Sequence, residues 1–343
     1  TTEIYTLSLH DALPIYKISS DAQKVWTGRY GGRKGVPMVL SSLKQVEPDL
    51  LRVEEQLVQL LEKRGGVLKG PAEMMFRSGG KRLRPALVLL SCRLFGPQPE
   101  SAIAIAAAVE MVHGASLIHD DVIDNTDVRR GQPTMNALTG NRIAVLLGDL
   151  LLCQALLAVA ELDRVNLVQV VSQAVADMTA GQILELRYQG NVDTNVDQYL
   201  RMIEGKTAAL MEAGCRLGAL INQAGPEQVE ACGNFGRNLG MAFQISDDVL
   251  DIWGDPDKLG KPTGNDLRER KYTLPFLYAY QQSQKPQRNL VRQLLTKDTL
   301  DAGAMQALVQ WMDQNQSREN ALQLASQYIE EARQALRRTP EGP

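Results

Sequence analysis

The chain has 343 residues, 44% of them hydrophobic, and a formal net charge of −3. That composition is ample for a sizeable buried core, and the charge gives no global electrostatic case for a nucleic-acid or anionic-membrane partner. The four cysteines, Cys92, Cys153, Cys215 and Cys232, are widely spaced and the only histidines are His10, His113 and His119, which excludes a disulfide framework, a structural zinc site and a His-rich metal centre.

In chain order, residues 1–36 come first and read as an N-terminal extension, disordered or non-native. Thr27 to Gly35 is rich in Gly and Arg, and YTLSLHDALPI resembles a peptide translated from sequencing-adapter DNA. The opening lacks a basic stretch followed by an apolar one, so it is not a secretory signal, and the cytoplasm is the default compartment. Residues 37–343 read as one domain, with no low-complexity linker and no repeat of solenoid period. A helix is expected behind Pro48, with Leu50, Val53, Leu57, Leu60 and Leu61 on one stripe. Further helices are expected over 84–95, 101–120, 142–160, 167–187, 196–224, 226–252, 274–280, 300–313 (opened by Asp301) and 318–337, bounded by Gly, Pro, Asn and Asp clusters. No train of alternating strands is present, so the fold class is all-α: a single-domain bundle of ten or more helices around a central cavity. The nearest approach to a membrane span, Ile143 to Ala160, is interrupted by Asp149 and Gln154 and reads as a core helix, so no transmembrane segment is expected.

Two acidic motifs end apolar helical runs: Asp120, Asp121 and Asp124 in DDVID, and Asp247, Asp248 and Asp251 in DDVLD. On a helix, positions i and i+4 share a face, so carboxylates converge in each motif, and they do so near a helix C-terminus where the macrodipole is already unfavourable to negative charge. A cation should offset this. Hard oxygen ligands suit Mg2+, which keeps several waters and is completed by substrate phosphates. A lone DDxxD is more often a solvated helix end, but two copies with matching lead-ins are not readily explained that way. Anion-binding groups accompany them. Gly79-Gly80-Lys81-Arg82-Leu83-Arg84-Pro85 sets three basic side chains beside a flexible turn and a helix start, and Arg129 and Arg130 follow the first acidic motif.

Taken together, GGKRLRP, HDDVIDN, RRG, GKT, FQISDDVLD and GKPTGNDL, in this order, make the sequence resemble the trans-isoprenyl diphosphate synthase (polyprenyl synthetase) family over about Leu43 to Gln282. The resemblance implies the isoprenoid synthase fold and Mg2+-dependent, head-to-tail condensation of isopentenyl diphosphate with an allylic prenyl diphosphate. It implies that Asp120, Asp124, Asp247, Asp248 and Asp251 hold metal, with Asp121 in support. Lys81, Arg84, His113 and Arg130 would bind isopentenyl diphosphate; Arg129, Lys206, Gln244 and Lys261 would bind the allylic diphosphate. Thr207 and Gln244 would face the reacting carbons. Without that resemblance His113 reads as a satisfied histidine of an apolar helix; His119 is left in a supporting role. Metal ions and basic groups stabilising a departing pyrophosphate need no protein nucleophile, and no Cys or Ser triad is visible. A homodimer and a peripheral membrane contact for product release are further family expectations. One departure is Arg270, where the family often has glycine.

Counting back from Asp120, the same helix presents Ser116 and Ala115, then Val112 and Met111, then Ala108 and Ala107. In short-chain relatives an aromatic residue near Ala115 or Ser116 closes the product tunnel; here there is none, which predicts a product longer than geranylgeranyl diphosphate, with Met111 as the first constriction. Tight helix packing explains the small residues nearly as well. The alternatives are a short-chain (farnesyl or geranylgeranyl) synthase, a class I terpene cyclase, whose second metal motif is usually of Asn/Ser/Glu type, and a non-catalytic synthase subunit, which would have lost motif residues that this chain retains.

Overall fold

The computed structural model describes residues 41–62, 70, 82–129, 131–256, 263–296, 300–337 and 339. The extension over 1–36 lies outside the described residues. In chain order the elements are α1 (Ser41–Glu62), α2 (Leu83–Arg93), α3 (Glu100–Ile123), a two-strand ribbon β1 (Val128–Arg129) and β2 (Gln132–Pro133), α4 (Met135–Thr139), α5 (Asn141–Ala160), α6 (Val165–Tyr188) and α7 (Val196–Ile203). A π-helical turn (Glu204–Ala208) follows, then α8 (Ala209–Ile221), α9 (Pro226–Trp253), α10 (Asn265–Arg268), α11 (Leu274–Gln282), α12 (Lys285–Leu295), α13 (Ala302–Gln314) and α14 (Ser317–Leu336). The all-α reading is borne out; among the described residues it is joined by an antiparallel ribbon that pairs Val128 with Pro133 and Arg129 with Gln132.

Three elements differ from their expected bounds for physical reasons. Helix α1 begins well before Pro48, which lies inside it. Val46, seven positions before Val53, is fully buried and extends the apolar stripe backwards, which outweighs the single N–H bond the proline cannot make. The run 196–224 is interrupted by the π turn, at the GKT motif. Helix α12 was not foreseen, because its stripe is short; it opens with a capping box between Gln284 and Gln287.

The described residues divide into two compact units, the first drawn from those within 1–175, 210–236 and 333–343, the second from those within 176–209 and 237–332. In the first, α3 is the central helix: residues 105–112 are all buried, and it packs against α1, α2 and α5. Gly148 of α5 lies so close to the His119 ring that a Cβ there would sit 2.3 Å from Nε2. Nε2 itself is 3.2 Å from the Val145 carbonyl oxygen and 3.3 Å from Asp149 Oδ1, so His119 fastens α3 to α5 just ahead of the acidic motif. Asn222 donates from Nδ2 to the carbonyls of Cys92, Gly96 and Pro97, fixing the end of α8 to the end of α2. Both α3 and α5 are long and apolar enough to cross a membrane by length and composition; most of the α3 window is buried in the protein.

In the second unit an aromatic cluster anchors α11. Phe276 stacks on Tyr272 at 4.5 Å between centroids and meets Trp311 edge-on at 5.4 Å, while Trp311 Nε1 donates to Ser283 Oγ at 2.8 Å. The Asp301 side chain accepts from the Ala304 N–H at 2.7 Å and caps α13, as its position before the helical run predicts.

Candidate active site

In the first unit the acidic motif occupies the last turn of α3, with Asp124 as its C-cap. Asp121 is buried, and its Oδ1 accepts from Arg129 Nε at 2.8 Å. Burial pushes the Asp121 carboxyl above the usual carboxylate range, opposed by Arg129 and reinforced by Asp124. Asp120 and Asp124 are partly exposed on either side of it. The arrangement leaves Asp121 tied to Arg129, on the first strand of the ribbon, and suits the supporting role implied for it.

At the start of α2, the basic cluster divides. Arg82 sits in a left-handed conformation with φ 44° and turns inward, pairing with Glu110 at 2.7 Å and Glu54 at 3.2 Å; its side chain is 10% exposed, so this arginine is a structural rivet. Arg84 Nη1 lies 3.3 Å from His113 Nε2, bringing together two of the residues implied for isopentenyl diphosphate. Of the other expected diphosphate ligands, Lys81, Arg130 and Lys261 lie outside the described residues. On α3, Met111, Val112 and Ala115 are buried, and Ser116 is partly exposed with its hydroxyl turned back to the His113 carbonyl at 2.8 Å.

The second unit carries a continuous polar relay. Tyr199 of α7, almost completely buried, donates to Asp248 Oδ2 at 2.5 Å. Asp248 Oδ1 accepts from Gln244 Nε2 at 2.7 Å, and Gln244 Oε1 accepts from Thr207 Oγ1 at 2.7 Å. Burial pushes the Asp248 carboxyl up to about 7; the Tyr199 and Gln244 hydrogen bonds favour its charged form, while Asp247 and Asp251 oppose it. Asp251 is buried too, with Oδ2 accepting the Asp266 N–H at 3.1 Å. Asp266 is raised well above its ordinary range by burial and then by Asp248 and Asp251. Asp247 is the exposed member of the motif.

Three side chains here escaped sequence reasoning. Tyr199 could have been found as a lone hydroxyl-bearing residue on the apolar face of α7, where burial demands a partner. Glu185 and Lys271 form the other pair. The Glu185 carboxylate contacts Lys206 Nζ through Oε2 and lies 3.3 Å from Lys271 Nζ through Oε1. Burial alone would raise the Glu185 pKa, but Lys206 and Lys271 together hold it below the ordinary value. Lys206 owes its backbone position to Gly181, where a Cβ would lie 2.2 Å from the Lys206 nitrogen, so α6 and the π turn touch backbone to backbone.

The donor set fits a divalent metal. Among the described residues no group of three or more His, Cys, Asp or Glu is assembled as a cage, but Mg2+ does not need one, since water and phosphate complete its shell. The crowding of Asp247, Asp248, Asp251 and Asp266 is negative charge that a hard cation would relieve.

Aspartate motifs near the ends of two apolar helices, a lysine and threonine on a π turn, Arg84 in the first turn of α2 and Arg129 on β1 make up a donor set suited to a divalent metal and an anion. Comparison with known proteins gives the family. The model for the polyprenyl synthetase family matches residues 66–312. The chain is 37% identical over 284 residues to heptaprenyl diphosphate synthase component 2 of Geobacillus stearothermophilus, covering 83% of this chain and 88% of that one. It is 37% identical over 300 residues to the nonaprenyl diphosphate synthase of Mycobacterium tuberculosis, covering 87% and 89%. Among solved structures, a decaprenyl diphosphate synthase from Rhodobacter capsulatus superposes with a TM-score of 0.83 at 33% identity, covering 88% of this chain and 93% of that one. The chain belongs to the polyprenyl synthetase family. Its fold is the all-α isoprenoid synthase fold, and it is a prenyl-transferring enzyme of a generally metal-dependent family.

Proposed function

We propose that the enzyme condenses isopentenyl diphosphate with an allylic prenyl diphosphate, head to tail and in trans, to make a polyprenyl diphosphate longer than geranylgeranyl. The observation that carries this reading is the Thr207–Gln244–Asp248 relay beside Lys206 on the π turn. Lys206 supplies an ammonium for a diphosphate, and the adjacent Thr207 with Gln244 supplies neutral oxygens suited to an electron-poor carbon. Heptaprenyl, nonaprenyl and decaprenyl synthases among its relatives support the long product.

Asp120 and Asp124 of the first motif, and Asp247, Asp248 and Asp251 of the second, would hold Mg2+, which would supply positive charge against a diphosphate departing with the electron pair of the C1–O bond. Arg129, Lys206 and Lys261 grip that diphosphate, while Lys81, Arg84, His113 and Arg130 hold isopentenyl diphosphate. The resulting allylic cation lies against Thr207 and Gln244; the isopentenyl double bond attacks it, and the released pyrophosphate takes the proton lost in re-forming a double bond.

Residues 37–343 act as one catalytic domain. The protein works as a homodimer in the cytoplasm, touching the membrane only peripherally to release its product. Exposed Ile143, Leu146 and Leu157 on α5 support docking of a second copy. The decisive experiment incubates purified protein with radiolabelled isopentenyl diphosphate, Mg2+ and primers of increasing length, then separates the products by chromatography. Extension beyond the C20 product, abolished by EDTA, is expected. No incorporation with any primer refutes the reading, and products ending at C15 or C20 refute its long-chain part.

A further inference from the structure

We infer that Glu185 is a positioning residue for the allylic diphosphate, acting through Lys206; the inference rests on the proposed role of Lys206 in binding that diphosphate. Glu185 stands on α6 and is 8% exposed. Its two carboxylate oxygens reach two different segments: Lys206 on the π turn, and Lys271 in the stretch between α10 and α11. Lys271 Nζ is also 2.8 Å from Glu269, whose side chain is half exposed. Three stretches of chain therefore meet at one buried carboxylate.

A lysine ammonium rides on a flexible four-carbon stem, and a ligand that must order such a stem loses affinity to the rotamer freedom it removes. Here the ordering is done in advance, from both ends of the side chain. Gly181, one helical turn before Glu185, lets α6 press on the Lys206 backbone nitrogen, and Glu185 holds the ammonium. One helix thus fixes the lysine at its root and its tip. Glu269 answers the charge of Lys271, so what the shared Glu185 carboxylate gives Lys206 is an orientation for its ammonium. The second oxygen, on Lys271, brings the post-α10 segment into the same arrangement.

Steady-state kinetics with Mg2+, each substrate varied separately, on E185Q, E185D, K206A and the E185Q/K206A double variant test the inference. Thermal melting of each variant accompanies the kinetics. E185Q should lower kcat/KM for the allylic diphosphate about 10- to 100-fold, the scale of a misplaced binding group. The KM for isopentenyl diphosphate should stay within about twofold, since Lys206 is assigned to the allylic diphosphate, and E185Q should add little to the loss in a K206A background. E185D, which keeps the charge, should recover part of the activity. Additive losses in the two backgrounds, or equal losses for both substrates that follow a fall in melting temperature, overturn the inference. A strong K206A effect with a weak E185Q effect overturns it alone; an allylic kcat/KM unchanged in K206A overturns the role of Lys206 and this inference with it.

Discussion

The Tyr199 hydroxyl donates to Asp248 Oδ2 at 2.5 Å, both side chains being buried. The other Asp248 oxygen is committed to Gln244, and Gln244 to Thr207, so the direction of every donor in the relay is set from its buried end. Replacing Tyr199 by Phe removes the first donor and leaves a buried carboxylate oxygen unsatisfied, which costs about 1–3 kcal/mol. Y199F should lose that much in urea unfolding and should also lower kcat, because Gln244 and Thr207 are no longer held in one orientation. A variant with lowered stability and unchanged kcat would restrict Tyr199 to the fold.

Gly181 gives a sharper test of the π turn. A methyl group there meets the Lys206 backbone nitrogen at 2.2 Å, a contact with backbone that cannot rotate away. Either α6 or the turn must shift, at about 1–3 kcal/mol or more. G181A should therefore reduce the turnover number about 100-fold, as displacement of a catalytic group by an ångström does, while circular dichroism stays that of a helical protein. Turnover within twofold of wild type, by the ~0.4 kcal/mol that such a ratio represents, would mean that the turn does not set the position of Lys206.

Arg270 shows how a departure from family pattern can have a conformational origin. Its φ is 57°, in the left-handed region, while its carbonyl accepts from the Gly190 N–H at 2.8 Å and its own N–H bonds to the Leu267 carbonyl at 3.1 Å. A side chain in this region costs about 1–2 kcal/mol, and glycine recovers most of it less its own entropy loss. R270G should raise stability by about 0.5–1 kcal/mol in denaturant titration and leave activity unchanged. A destabilised R270G would mean that the arginine side chain contributes more than its backbone costs.

What was legible in the sequence follows from range. The acidic motifs could be read because i, i+1, i+4 spacing is a local property, and the helices because their apolar stripes repeat every turn. The π turn could not: nothing in the local pattern of Glu204 to Ala208 marks a change of winding, and the close approach of Gly181 to its backbone is a contact between distant segments. The Glu185–Lys271 pair joins segments far apart in sequence and has no period at all. Residue type alone does not set Arg82 apart from Lys81 and Arg84 in their motif; the buried Glu110, a full helix away, does.

The α5 surface bears on assembly. Leu146, Cys153 and Leu157 fall on one face of the helix, and all three are exposed. Light scattering should find wild-type protein as a dimer and L146E as a monomer, since a charge at an apolar contact is left unpaired. Thiol labelling gives a second readout. Burial pushes Cys92 and Cys232 up to about 12 and Cys215 higher still, so native alkylation should mark Cys153 alone, and faster in L146E than in wild type. A monomeric wild-type protein would refute the homodimer.

Product length is the last consequence of α3. Met111 and Ala115 lie one turn apart and both are buried, at 0% and 2% exposure, so the question is whether the space beside them is filled by protein alone or yields to a growing chain. A phenyl ring at position 115 overpacks a filled site at about 1–3 kcal/mol, and it also blocks any chain that passes there. A115F should shift the products to shorter chains while the first condensation with a short primer keeps its rate; that rate separates blockage from general damage. M111A removes the next constriction and should lengthen the products. If A115F loses stability and the distribution of chain lengths on chromatography does not change, α3 packs against protein only and the tunnel runs elsewhere.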